Sequence, residues 1–279
     1  MYFRAISCIR FTATALFSLT VVMSSTVSAK ARVAELADGG MVATRSSWAS
    51  QIGADILGRG GNAVDAAVAI GFGLAVSYPS AGNLGGGGFM VIRLADGTVI
   101  TNDHREKAPG NASKDMFLDE NGDVVKGLST RSHLAAGVPG TVAGLLDVLE
   151  KYGTMTRAQV MQPAIELAAK GIVLDRDLAE SFARRGGEAA GEPARAGVFA
   201  KETGPYQIGD LWRQPDLAAS LTRIKERGKA GFYQGETADL LVAEMQRGGG
   251  LISHEDLQSS RPDCREPIRG THRGHEIVS

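Results

Sequence analysis

The chain has 279 residues, 43% of them hydrophobic and 22% charged, with a formal net charge of -1. That balance leaves no basic field to attract nucleic acid, and 36 glycines alongside this hydrophobic content favour a packed core with many tight turns over a disordered chain. Of the two cysteines, Cys8 lies in the leader described next and Cys264 near the end, so a mature chain has one thiol and no internal disulfide.

Residues 1–29 read as a secretory signal. Arg4 and Arg10 give a positive start, Phe11 to Met23 is an apolar run too short to span a bilayer comfortably, and Val27-Ser28-Ala29 offers small residues for cleavage before Lys30. The rival reading is an uncleaved anchor, but Ser24, Ser25, Thr26 and Ser28 end the apolar run early. Cleavage removes two arginines and no acid, so the net charge moves from -1 to -3. The expected location is periplasmic or secreted, with no membrane contact once the signal is gone, and residues 30–279 are enough to bury one large core or two small ones.

Met41-Val42-Ala43-Thr44 predicts a short strand, followed by a helix capped by Ser46 or Ser47 and running to about Leu57. Gly58, Gly60 and Gly61 stop it. Asn62 caps a second helix, Ala63 to about Val76, which is apolar nearly all round and so is expected to be buried on several sides. Pro79 and the glycines from Gly85 to Gly88 end that segment. Phe89 to Leu94 and Thr98 to Thr101 then flank Ala95-Asp96-Gly97, a hairpin signal. Helix, helix, strand, strand is an α+β order rather than a βαβ repeat.

The second strand runs into Asn102-Asp103-His104-Arg105-Glu106-Lys107-Ala108-Pro109, a charged cluster at a strand end, where scaffolds present functional side chains. Residues 110–136 read as a surface excursion with a turn at Asp119 to Asp123. A helix from Val142 to about Tyr152 ends at Gly153, and a Thr156/Gln159 capping box opens another through Lys170, which Pro163 is expected to kink or split. Asp175 to Gly209 carries little period and reads as an amphipathic helix followed by loop. Leu217, Leu221 and Ile224 mark a helix closing at Gly228, and Ala238, Leu241, Val242 and Met245 mark another closing at Gly248. Ser253 with Asp256 boxes a short helix at His254. Pro267 to Ser279 reads as two strands and a turn, the second stopping without a cap, which suggests a piece of a longer protein.

Few residues carry recognisable chemistry. Gly58-Arg59-Gly60 with Ala63 fits a dinucleotide fingerprint, but that fingerprint must follow a strand, and here it follows a helix. No Gly-Lys-Ser or Gly-Lys-Thr phosphate loop occurs, and no glycine-flanked serine elbow. His272 and His275 lack the further ligands a zinc site needs, and Cys264 sits between Asp263 and Arg265 without a motif. No metal or cofactor is therefore expected. Arg105 differs from these, because its planar fork of donors suits a carboxylate, and Asp103 and Glu106 are placed to fix its pose. The alternative reading is a surface salt-bridge cluster.

Taken together, several blocks resemble the large subunit of a γ-glutamyltransferase, the glutathione hydrolase family. They are Gly60 to Ala69, Pro79 to Met90, Asp103-x-Arg105-Glu106-x-Ala108-Pro109, and Ser132-His133-Leu134-x-x-Gly137-x-Pro139-Gly140-Thr141-Val142-Ala143-Gly144. Tyr152-Gly153, Gln162-Pro163-Ala164, Gly231-Phe232-Tyr233 and Gly249-Gly250-Leu251-Ile252 continue the match in order, from about Val42 to the last residue.

The resemblance implies an N-terminal-nucleophile hydrolase fold, an αββα sandwich of which this chain carries an incomplete, large-subunit part. It implies a precursor that cuts itself, so that the small subunit of the same precursor is the partner and its new N-terminal threonine the nucleophile. That threonine's α-amino group serves as base, and the acyl group passes from a γ-glutamyl substrate such as glutathione to water or an amino acid. No catalytic residue is then expected within these residues. Thr271-His272 does not supply one, since His272-Arg273-Gly274 matches a turn well upstream of the cleavage point. Arg105 becomes the residue that meets the α-carboxylate of the γ-glutamyl group, supported by Asp103 and Glu106. The chain alone is expected to be inactive. A related acylase, a poly-γ-glutamate depolymerase and a non-catalytic truncated product are the alternatives.

Overall fold

A computed structural model describes residues 36–188, 197–201 and 203–279. The signal proposed over residues 1–29 lies outside them. The architecture is that of the unit Gly39–Ser279.

The first two helices begin on side-chain caps. In α1 (Ser47–Gly58) the Ser46 hydroxyl accepts the Ala49 N–H, and in α2 (Ala63–Ser77) Asn62 accepts from Val64 and Asp65 while the Asp65 carboxylate reaches back to the Asn62 N–H. Asp65 is completely buried. It also accepts from Thr154 N–H and Oγ1 and from Met155 N–H, at 2.7–3.1 Å, so one carboxylate ties the start of α2 to the segment at Thr154 and Met155. Burial works against ionising this acid, but the hydrogen bonds from Thr154, Met155 and Asn62 outweigh it and hold the pKa below the usual aspartate value.

The uniformly apolar α2 is enclosed by α1, α4 (Thr141–Tyr152) and α5 (Arg157–Lys170), with α7 (Pro215–Arg227) beyond α5. Val68, Ala69, Phe72, Val76, Val142, Val148, Met161, Ala164, Leu221 and Ile224 belong to this core. Its helices come close because glycine stands at their joints: a Cβ on Gly53 would lie 2.4 Å from Ile70 Cδ1, and one on Gly71 2.9 Å from Leu145. Such interdigitation leaves no room for a methyl group.

The hairpin pairs β1 (Phe89–Arg93) with β2 (Val99–Asp103), Phe89 opposite Asp103 and Arg93 opposite Val99. Met90 and Ile92 face the helical core, whereas Phe89 and Val91 are exposed on the other side. After α3 (Leu128–Arg131) and the helices α4 and α5 comes a region of smaller pieces. It comprises β3 (Ile172–Val173), α6 (Arg176–Glu188), β4 (Ala200–Lys201), β5 (Gly204–Pro205) and β6 (Leu211–Trp212), with β3 pairing β6 and β4 pairing β5. Phe182 sits at its centre, its ring 4.6 Å from Trp212, 5.3 Å from Phe199 and 5.7 Å from Tyr206, all edge to face. The chain closes with α8 (Ala230–Tyr233), α9 (Glu236–Gly248), the boxed helix α10 (His254–Ser259) and the exposed hairpin β7 (Arg269–His272) and β8 (His275–Val278).

The α+β class and most predicted elements are present, the strands lying in two-stranded pieces among the described residues. Three expectations change. Met41 to Thr44 forms no strand, because no described segment pairs with it. Pro163 does not split α5: the missing N–H costs one helical hydrogen bond, while Val160, Met161, Ala164, Ile165 and Ala168 bury the face around it. The loop expected after α6 contains paired strands β4 and β5, with residues 189–196 outside the described set.

Candidate functional site

The charged cluster after β2 continues the strand's alternation. Asn102 and His104 turn inward, 1% and 5% exposed, while Arg105, two residues beyond Asp103, is exposed on the surface. The main chain here is held on several sides. Asp103 exchanges 2.7 Å hydrogen bonds with Asp263, the His104 N–H donates to Gly88 O at 3.0 Å, and Lys107 pairs with Val138 at 2.8 and 3.3 Å. Arg105 therefore stands on a fixed backbone.

Its guanidinium lies 5.9 Å from the centre of the Phe89 ring, a cation–π placement. Asp103 and Glu106 do not hold that guanidinium as anticipated. The Asp103 carboxylate accepts the Arg105 backbone N–H at 3.0 Å and pairs with Arg265 Nε at 2.9 Å, and among the described residues no ion pair joins Arg105 to either acid. Asp103 thus supports the main chain of Arg105 and leaves the donor fork open. An open planar fork over an aromatic ring is suited to a carboxylate that arrives from solution.

Glycines make this placement possible. A Cβ at Gly87 would lie 2.7 Å from His104 O, one at Gly140 2.0 Å from the same oxygen, and one at Gly144 2.2 Å from His104 Cγ. The Gly140 and Thr141 N–H groups both donate to Gly86 O, at 2.8 and 3.0 Å. The glycine-rich turn, the strand end and the start of α4 therefore stack with only the His104 ring between them. Burial pushes the His104 pKa down, against the upward pull of Asp103, Asn102 and Glu106, so the ring is neutral at pH 7.

Beside Arg105 is a cavity of 390 Å³ bordered by Lys107, Pro109, Met116, Phe117 and Leu134. Next to Leu134 of its wall, His133 Nε2 meets Glu244 Oε1 at 2.8 Å, and Gly248 leaves room for the His133 ring. Arg247 first and His133 second lower the Glu244 carboxyl to about 2.

The discounted candidates are placed as follows. Gly58 ends α1, Arg59 and Gly60 form the turn to α2, and the three follow no strand. His272 and His275 face each other across the β7–β8 turn, both exposed, and no metal-binding group of His, Cys, Asp and Glu occurs among the described residues. Cys264 is free and exposed, and Thr271 lies within β7. Sequence reasoning missed Asn102 and His104. Their signal was present as two polar residues spaced by two just beyond the end of the strand predicted over Thr98 to Thr101.

The sequence family described as Gamma-glutamyltranspeptidase matches residues 49–279. The glutathione hydrolase proenzyme of Pseudomonas sp. (strain A14) is 47% identical over 244 residues, covering 87% of this chain and 42% of that protein. Its counterpart from Escherichia coli (strain K12) is 48% identical over 242 residues, covering 86% and 42%. The crystal structure of Helicobacter pylori gamma-glutamyltranspeptidase aligns with a TM-score of 0.86 at 46% identity, covering 88% of this chain and 71% of that one. The chain spans about two-fifths of the length of the curated relatives it matches.

Proposed function

This chain belongs to the gamma-glutamyltranspeptidase family, and on that premise we propose that it supplies the large-subunit part of an enzyme that cleaves γ-glutamyl amides such as glutathione. Arg105 receives the α-carboxylate of the γ-glutamyl group. The observation that carries this reading is the open guanidinium of Arg105 on a backbone fixed by Asp263, Gly88 and Val138. A rigid, preorganised donor fork recognises a carboxylate with little ordering cost on binding.

The nucleophile in this reading is the N-terminal threonine of the small subunit, formed from the same precursor, with its α-amino group as base. The residues described here bind and orient, while the small subunit breaks and makes bonds. The exposed outer face of β1, with Phe89 and Val91, fits the packing of small-subunit strands, because an apolar sheet face left in water is unfavourable. Export through the signal over residues 1–29 places the enzyme in the periplasm or outside the cell. No described helix is long and apolar enough to cross a membrane.

The test is the complete protein acting on a chromogenic γ-glutamyl anilide. Arg105→Ala is expected to raise KM by two or more orders of magnitude, and unchanged saturation kinetics would remove Arg105 from the binding site. Turnover of a cephalosporin side-chain amide in place of the anilide would assign the acylase chemistry instead.

A further inference from the structure

We propose that His104 is the positioning residue for Arg105, held through Asn102 by Asp147 on α4, and that this buried chain sets the affinity for the γ-glutamyl carboxylate. The proposal rests on the role given to Arg105 above.

The chain runs inward from the surface of α4. Lys151 Nζ donates to Asp147 Oδ2 at 2.9 Å, and Lys229 Nζ stands 3.9 Å from Asp147 Oδ1. Asn102 Nδ2 donates to Asp147 Oδ2 at 3.2 Å, and Asn102 Oδ1 meets His104 Nδ1 at 2.8 Å. A carboxylate only accepts, so Asp147 fixes which end of the Asn102 amide faces it. The Asn102 oxygen then points at the histidine, and Nδ1 must carry the proton. Nε2 is left as the unprotonated nitrogen, directed at Gly88, where even a Cβ would approach within 2.9 Å.

Each link is closed on its other sides. The His104 ring lies against Gly144, its carbonyl against Gly140, and its N–H is bonded to Gly88 O. Charged groups near the ring are Asp103 and Glu106 from its own segment and Asp147 from α4, reached through Asn102. The glycine turn contributes none. Because side chains alternate along an extended chain, locking the inward ring of His104 fixes the direction in which Arg105 leaves the backbone. Rotation or loss of the imidazole would free that direction without touching any substrate atom.

The test uses the complete protein and the γ-glutamyl anilide, with Arg105→Ala as reference. His104→Asn, whose amide can still donate to Asn102, is expected to keep KM within about threefold of the parent. His104→Gln, which moves the amide to the Nε2 side, is expected to raise KM tenfold or more with kcat nearly unchanged. Asp147→Asn lets the Asn102 amide turn over and is expected to raise KM several-fold, although it lies on α4 and meets no substrate.

If Arg105→Ala raises KM while His104→Gln and Asp147→Asn do not, the positioning role is wrong and the function of Arg105 stands. If Arg105→Ala itself leaves KM unchanged, the reading beneath the proposal fails. Should the His104 variants not fold, ring-nitrogen NMR of the parent protein decides between the tautomers. Protonated Nδ1 with unprotonated Nε2 at pH 7 supports the relay, and the opposite tautomer or a doubly protonated ring overturns it.

Discussion

Two clusters of buried side chains stabilise this chain by different means. Around α2 the packing is into glycines: Ile70 fills the space beside Gly53, Leu145 that beside Gly71 and the His104 ring that beside Gly144, while the His104 carbonyl meets Gly140, all at distances that would exclude a methyl group. Around Phe182 the packing is between rings, with Trp212, Phe199 and Tyr206 filling a small pocket under short strands. The first cluster passes its order directly to the backbone of Arg105. Among the described residues, the partly buried Leu167 packs against both clusters. Rigidity at Arg105 is thus a property of main-chain and His104 contacts in one region, and bulk burial elsewhere contributes only to stability.

The largest expected effects separate the two clusters. Phe182→Ala should cost about 3–5 kcal/mol, read as a shift in the denaturation midpoint, yet leave KM for a γ-glutamyl donor unchanged in the complete protein. Gly144→Ala should cost about 1–3 kcal/mol, since a methyl group must displace the His104 ring, and should raise KM as well. If Phe182→Ala raised KM and Gly144→Ala did not, the division between the clusters would be wrong.

A smaller effect concerns the Asp65 knot and carries a pH signature. The folded-state pKa of this carboxyl is depressed, so its contribution is present above the ordinary aspartate range and is lost as pH falls through the folded value. Asp65→Asn should destabilise by about 1–3 kcal/mol at neutral pH, because an amide NH2 replaces one oxygen of a carboxylate that accepts from Asn62 N–H, Thr154 N–H and Oγ1–H, and Met155 N–H. The difference between parent and variant should shrink below about pH 4. A difference that stays constant down to pH 2 would contradict the ionised knot.

The helical core was readable because its signals are local. Thr156 three residues before Gln159 spells a capping box, an all-apolar stretch spells burial, and Asp-Gly between apolar runs spells a hairpin. Arg105 was singled out by its place at a strand end and by resemblance. The aromatic cluster was not readable, because Phe182, Phe199, Tyr206 and Trp212 are brought together by two-residue strands too short to show a period. The role expected for Asp103 and Glu106 also changed, because sequence proximity does not reveal that Arg265 and the Arg105 backbone occupy the Asp103 carboxylate. Asn102 and His104 went unremarked for a related reason: their partner Asp147 lies on another element, and only the fold shows that these polar residues point inward.

The central claim is that Arg105 meets the α-carboxylate of the γ-glutamyl group, and a double comparison isolates it. In the complete protein and its Arg105→Ala variant, kcat/KM is measured for a γ-glutamyl anilide and for the matching 4-aminobutyryl anilide, which lacks that carboxylate. The parent should lose about 2–5 kcal/mol of transition-state binding on deletion of the carboxylate, and the variant should lose almost none, since the partner is already gone. Equal losses in both proteins would show that the carboxylate is bound elsewhere.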